Sequence, residues 1–128
     1  MRLLLDTHAF LWWVEDDPRL SRKARAAVVE PGNDCYLSLA SSWEMAIKIS
    51  LGKLRLRGSL ERFIPDQLAA NRFRELPIDF RHVTRVARLP FHHRDPFDRL
   101  LVAQALEEEL AIVSADRVFG AYRVKRIW

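Results

Sequence analysis

The sequence predicts an α/β fold in which a mostly parallel central sheet is flanked by helices. Three observations predict it. Short apolar runs suited to strands alternate with segments of helical pattern along the whole chain. The segments between successive runs are long enough for crossover helices, which parallel strands need and hairpins do not. The 128 residues, 49% of them hydrophobic, contain no Pro/Gly/Ser-rich linker, repeat or low-complexity stretch. Residues 1–128 are therefore expected to form a single domain.

Each element has its own signal. Arg2–Leu5 is a short apolar run closed by Asp6, the expected first strand. Thr7 to Val14 reads as a helix, and Ser21 caps a second one that runs through Glu30 and is closed by Pro31-Gly32. Cys35–Leu39 is the second strand, followed by a helix from Ser41 to Leu51 that Gly52 ends. Ser59 to Asn71 is another helix, expected to bend at Pro65, which lacks the N–H that the ladder needs. Arg74–Ile78 is the third strand. Asp79 then caps a helix carrying Val83, Val86 and Ala87 at i, i+3 and i+4. Asp95-Pro96 opens the clearest helix, with Asp at the N-cap and Pro at the first helical position, and it runs to about Leu110. Ala111–Ser114 is the fourth strand and Val124–Trp128 a fifth.

Composition excludes several classes. The longest apolar run, Ala9 to Val14, has six residues, against the roughly 18 that a spanning helix needs. Three leucines after Arg2, interrupted by Asp6, do not make a secretory leader. A single cysteine, Cys35, allows no internal disulfide and no cysteine-rich zinc site, and reads as a small buried residue. The expectation is a soluble, cytoplasmic protein with no membrane partner. Lys+Arg number 21 against 17 Asp+Glu, a net charge of +4, and 17 of the 21 cations are arginine. Arginine forks onto phosphate and stacks on bases, which suits a nucleic-acid partner, although a GC-rich genome enriches arginine without one.

In open parallel sheets, chemistry gathers beyond the carboxyl ends of the strands. That rule singles out Asp6 after the first strand and Asp116 two residues past the fourth. It adds Glu44 and Asp98, each placed in the first turn of a helix. Each acid also has an ordinary structural reading. Ser41-Ser42-Trp43-Glu44 fits a capping box, and Asp98 fits the positive end of a helix dipole. Asp116 fits a turn, and Asp6 a helix cap. Their convergence is harder to explain structurally. Two carboxylates about 4 Å apart repel by roughly 4 kcal/mol at an effective dielectric near 20, so four of them call for a cation. Carboxylate oxygens without histidine or cysteine thiolate suit a hard ion such as Mg²⁺ or Mn²⁺, not zinc. An acidic metal site on a basic protein points to phosphodiester hydrolysis.

Four segments in order, spanning essentially the whole chain, carry a resemblance. They are Leu3-Leu4-Leu5-Asp6-Thr7-His8, Ser38-Leu39-Ala40-Ser41-Ser42-Trp43-Glu44, His92-His93-Arg94-Asp95-Pro96-Phe97-Asp98-Arg99-Leu100-Leu101, and Ser114-Ala115-Asp116. Together they resemble the PIN domain of VapC-type toxins, the ribonuclease half of type II toxin–antitoxin modules. The resemblance implies a PIN-like fold and a Mg²⁺- or Mn²⁺-dependent ribonuclease. It implies Asp6, Glu44, Asp98 and Asp116 as the catalytic acids and metal ligands, with Asp6 and Asp98 the firmest. It also implies an RNA substrate, a VapB-type antitoxin that blocks the site, and a homodimer. Serine at 114, where threonine is common, keeps the hydroxyl.

Other residues carry smaller expectations. Thr7 would orient Asp6 or a water, or else cap a helix. His92 and His93 would contact substrate phosphate, or stand solvated in a loop. Lys48 is placed to pair with Glu44 at i,i+4. Arg94 and Arg99 would bind RNA phosphate or an acidic partner segment. Trp12 and Trp13 suit base stacking or a partner groove, with one of them in the core. Two rivals remain: a non-cleaving RNA-binding or regulatory PIN domain, and a receiver-like phosphoacceptor. The single Asp6 after the first strand disfavours the receiver, which normally has an acidic pair there.

Overall fold

The computed structural model describes all 128 residues. The chain runs β1 (Arg2–Leu5), α1 (Thr7–Val14), α2 (Arg22–Val29), β2 (Asp34–Ser38), α3 (Leu39–Ser50), α4 (Leu60–Asn71) and β3 (Arg74–Leu76). It continues through α5 (Phe80–Ala87), α6 (Pro96–Glu108), β4 (Ala111–Val113), α7 (Val118–Ala121) and β5 (Arg126–Ile127). The five strands form one sheet in the order β3-β2-β1-β4-β5, and every pairing is parallel. The sheet is thus entirely parallel, where the sequence predicts a mostly parallel one.

The two central strands are apolar along Leu3–Leu5 and Ala111–Val113 because both faces of the sheet are covered there, whereas the edge strand β3 exposes Arg74 and Glu75. Successive side chains on β1 point to opposite faces. Leu3 and Leu5 pack with Phe10, Leu37, Met45 and Val113 on one face. Leu4 packs with Leu101, Val102, Ile112 and Phe119 on the other. Burying these side chains contributes about 1.5–3 kcal/mol each.

Several boundaries differ from the sequence reading for local reasons. β3 stops at Leu76 rather than Ile78, because Pro77 has no N–H to continue the ladder. β2 gives way at Leu39 because the Ser38 hydroxyl accepts from the Ala40 N–H and caps α3 three residues earlier than expected. Ser41 therefore lies inside the helix, and the Ser41–Glu44 capping box does not form. Helix α6 ends at Glu108, where Glu109 turns into the left-handed region, rather than at Leu110. The four-residue α7 has too little periodicity to be read from sequence. Pro65 lies within a continuous α4. On α5, Val86 packs half-buried against the core, whereas Val83 and Ala87 are exposed. Val83 is 51% exposed, whereas His82 is 1% exposed and bonds through Nε2 to Glu108 Oε1 at 2.9 Å.

From β1 the chain winds outward through β2 and β3, then returns to the other side of β1 for β4 and β5. The reversal sets the topological switch point, at which open α/β sheets bind ligands, beyond the carboxyl ends of β1 and β4. This 3-2-1-4-5 order also differs from the 2-1-3-4-5 order of receiver-type folds, which removes the phosphoacceptor reading.

Candidate active site

Asp6 follows β1 directly and serves as the N-cap of α1, its Oδ1 accepting from the Ala9 N–H at 2.7 Å. It is only 8% exposed. Burial pushes its carboxyl above the ordinary range, the Ser114 hydroxyl, the Ala9 N–H and His8 oppose this, and Glu44 adds to the rise. A buried carboxylate placed at the switch point therefore lacks sufficient positive charge of its own.

Asp95 and Asp98 divide the start of α6 between them, as the Asp-Pro spacing predicts. Asp95 is the N-cap, and its Oδ1 accepts from Phe97 N–H at 2.8 Å and Asp98 N–H at 3.1 Å. Asp98, in the first turn, keeps its carboxylate free of the helix backbone. Burial pushes it up to about 6, the Asp95 charge adds to this, His93 opposes it, and Asp6 adds a further push. Asp116 sits in the turn after β4. Its N–H donates to Ser114 Oγ at 3.0 Å, its Oδ1 accepts from the Val118 N–H at 3.0 Å, and its Oδ2 stays open. Its turn role and a site role are compatible.

The structure gathers Asp98, Asp116 and His93 into one group whose donor atoms lie within 4.8 Å of one another. Asp6 and Glu44 stand outside this tight group; Asp6 raises Asp98 electrostatically, and Glu44 in turn raises Asp6. Glu44 is the sixth residue of α3, not in its first turn. Both its oxygens are engaged: Thr7 Oγ1 donates to Oε1 at 2.7 Å, and Lys48 pairs with Oε2 at 3.0 Å. Thr7 thus orients Glu44 rather than Asp6, and it does not cap α1. The Lys48 pair is the expected i,i+4 bridge.

Two assignments change. Arg99 is not available to phosphate: it is buried, and its guanidinium donates to the carbonyls of Pro90 (2.8 Å), Val86 (3.2 Å) and Leu89 (3.4 Å) and to the Tyr122 hydroxyl (3.3 Å). It staples the end of α5 and the following loop. His93 joins the site instead of standing solvated, with Nε2 at 2.8 Å from Asp98 Oδ2. The signal for His93 was only its place two residues before an Asp-Pro cap. His92 is exposed, its ring edge-on to Tyr122, and Arg94 is exposed beside it. Trp43 and Phe97, each preceding a candidate acid, meet edge to face at 5.0 Å at the rim of the site. Trp12 and Trp13 are both half-buried, so neither is wholly core. Trp12 stacks on His8, and Trp13 donates to Asn71 Oδ1 at 2.9 Å. Cys35 is buried as expected, its thiol pushed up to about 11 by burial.

Comparison with known proteins bears on the family and the fold. The sequence pattern of the PIN domain family matches residues 3–125. Ribonuclease VapC22 of Mycobacterium tuberculosis (strain ATCC 25618 / H37Rv) is 28% identical over 125 residues, covering 97% of this chain and 94% of that protein. Among solved structures, VapBC2 from Rickettsia felis, bound to a DNA fragment from its promoter, aligns with a TM-score of 0.73 at 12% identity over 100% of both chains. VapBC-1 from nontypeable Haemophilus influenzae aligns with a TM-score of 0.66 at 15% identity, covering 98% of this chain and 96% of the other. At these identities the solved structures show a shared fold. No helix is long and apolar enough to cross a membrane.

Proposed function

The chain belongs to the PIN domain family, and on that premise we propose that it is a Mg²⁺- or Mn²⁺-dependent ribonuclease acting as the toxin of a type II toxin–antitoxin module. One observation carries the reading. Two partly or wholly buried carboxyls, Asp6 and Asp98, are both pushed upward by burial and by other acids at the switch point of a parallel sheet. Such a site gains from a cation. Its free donors are carboxylate oxygens, which fit a hard divalent ion.

Asp6, Asp98 and Asp116 would hold the ion, directly or through water. Glu44 belongs to the same set, but with Thr7 and Lys48 on its two oxygens it would act through water or after the Lys48 pair opens. A bound ion would supply Lewis acidity, polarising the scissile phosphate and lowering the pKa of the attacking water. The chain's own residues do the rest. The Asp95 cap fixes the first turn of α6, and with it Asp98. Thr7 holds Glu44 against α1. The exposed Arg94, beside the acids, would meet substrate phosphate, and the net charge of +4 favours approach of RNA. The antitoxin and homodimer are proposed from the similarity to VapBC proteins, as is action in the cytoplasm.

The test is incubation of the purified chain, free of antitoxin, with a mixed RNA pool in Mg²⁺ or Mn²⁺, with and without EDTA, followed by sequencing of the ends. The reading expects new ends that EDTA abolishes. RNA that is bound but never cut would favour the non-cleaving alternative.

A further inference from the structure

We propose that His93 is a positioning residue, which holds the Asp98 carboxylate for metal binding without itself being a ligand. The inference rests on the metal-site reading above. His93 lies in the loop between α5 and α6, five residues before Asp98. Its Nδ1 accepts from the Arg94 N–H at 3.0 Å and, more loosely, from the Asp95 N–H at 3.5 Å. In a neutral imidazole one nitrogen accepts and the other carries the proton. The proton is therefore on Nε2, which donates to Asp98 Oδ2 at 2.8 Å. The other facing carboxylate, Asp116 Oδ2, is 3.7 Å away.

This hydrogen bonding separates two roles that distance alone does not. The donor atoms of His93, Asp98 and Asp116 lie close enough together to be three ligands of one ion. With Nδ1 turned onto backbone N–H groups and Nε2 protonated, however, the ring directs no lone pair at a cation. It fixes one oxygen of Asp98 and leaves the other free. The loop that carries His93 is itself anchored. Arg99 donates to Leu89 and Pro90 carbonyls, and the His92 N–H donates to the Tyr122 hydroxyl at 3.2 Å. Partners that orient a ligating carboxylate in this way typically account for 10–100-fold in metal affinity.

The experiment titrates Mn²⁺ into the purified full chain by calorimetry, comparing wild type, His93→Ala and His93→Gln, whose amide N–H can reach Asp98. His93→Ala should weaken Mn²⁺ binding by about 10–100-fold and His93→Gln should recover most of it. A second measurement needs no variant: ¹⁵N NMR of the wild-type ring should show Nε2 protonated both without metal and with Mg²⁺ bound. The proposal is overturned if His93→Ala binds Mn²⁺ like wild type, if His93→Gln binds as weakly as His93→Ala, or if Mg²⁺ strips the Nε2 proton. A wild-type chain that gives a flat Mn²⁺ titration overturns the metal-site reading itself, and this proposal with it. The two failures are thus told apart by the wild-type curve.

Discussion

Replacing Asp98 by Asn should stabilise the metal-free protein at neutral pH, although it removes a residue of the proposed site. The Asp98 carboxyl sits at about 6 in the fold against an ordinary 3.8, because burial and the Asp95 charge disfavour its ionised form. A gap of about two pKa units corresponds to roughly 3 kcal/mol, at about 1.36 kcal/mol per unit. A quarter of the side chain remains exposed, 24%, so solvent screening brings the expected cost nearer 1–2 kcal/mol. The sign follows from proton uptake. Between about pH 4 and 6 the folded state holds a proton that the unfolded state has released, so stability falls as pH rises through that window. Below it both states are protonated and the cost vanishes. Burial raises Asp6 too, which adds to the same trend. Asn keeps the shape without the charge. Chemical denaturation in EDTA at pH 7.5 should therefore find Asp98→Asn more stable than wild type by about 1–2 kcal/mol, with the difference shrinking toward pH 4. Mn²⁺ should reverse the order, because wild type gains more binding energy than a variant that lacks one of the acids. Asp98→Asn less stable than wild type in EDTA at pH 7.5 would refute the reasoning.

Asp95→Ala loses a helix cap with two backbone donors and should cost about 0.5–2 kcal/mol in a thermal melt, while the Mn²⁺-induced shift in Tm remains. Arg99→Leu strands buried carbonyls at the end of α5 and should cost about 2–4 kcal/mol by urea denaturation, whereas a phosphate-binding role would leave stability nearly unchanged. Expression of the chain alone should arrest bacterial growth, and Asp6→Ala should relieve the arrest. Abundant soluble wild-type protein that leaves several hosts growing normally would contradict the toxin reading.

What was legible in the sequence was what local chemistry decides. The apolar runs around Leu3–Leu5 and Ala111–Val113 read as buried strands, and connections long enough for crossover helices favour parallel pairing. Asp95-Pro96 declared its helix, which put Asp98 in the first turn. What failed depended on competition or on distant partners. Two serines can cap α3, and Ser38 wins because β2 delivers it in extended conformation with its hydroxyl on the Ala40 N–H. That displaced Glu44 from the first turn to the sixth position without removing it from the site's field. The spacing of Val83, Val86 and Ala87 marked α5 but not its buried polar residue: His82 turns inward because Glu108 on α6 satisfies it. Arg99 read as a phosphate ligand because nothing local reveals that carbonyls 13, 10 and 9 residues earlier will surround its guanidinium. His93 was undervalued for the same reason, since its partner Asp98 becomes a neighbour only after the loop closes.

The central claim, that the acids at the β1/β4 switch point cut RNA, is tested most directly by single-turnover cleavage of a labelled RNA at saturating Mn²⁺, comparing wild type with Asp98→Asn after circular dichroism has shown both to be folded. The account predicts cleavage by wild type and a fall of orders of magnitude in Asp98→Asn. Equal cleavage rates in the two proteins would contradict it.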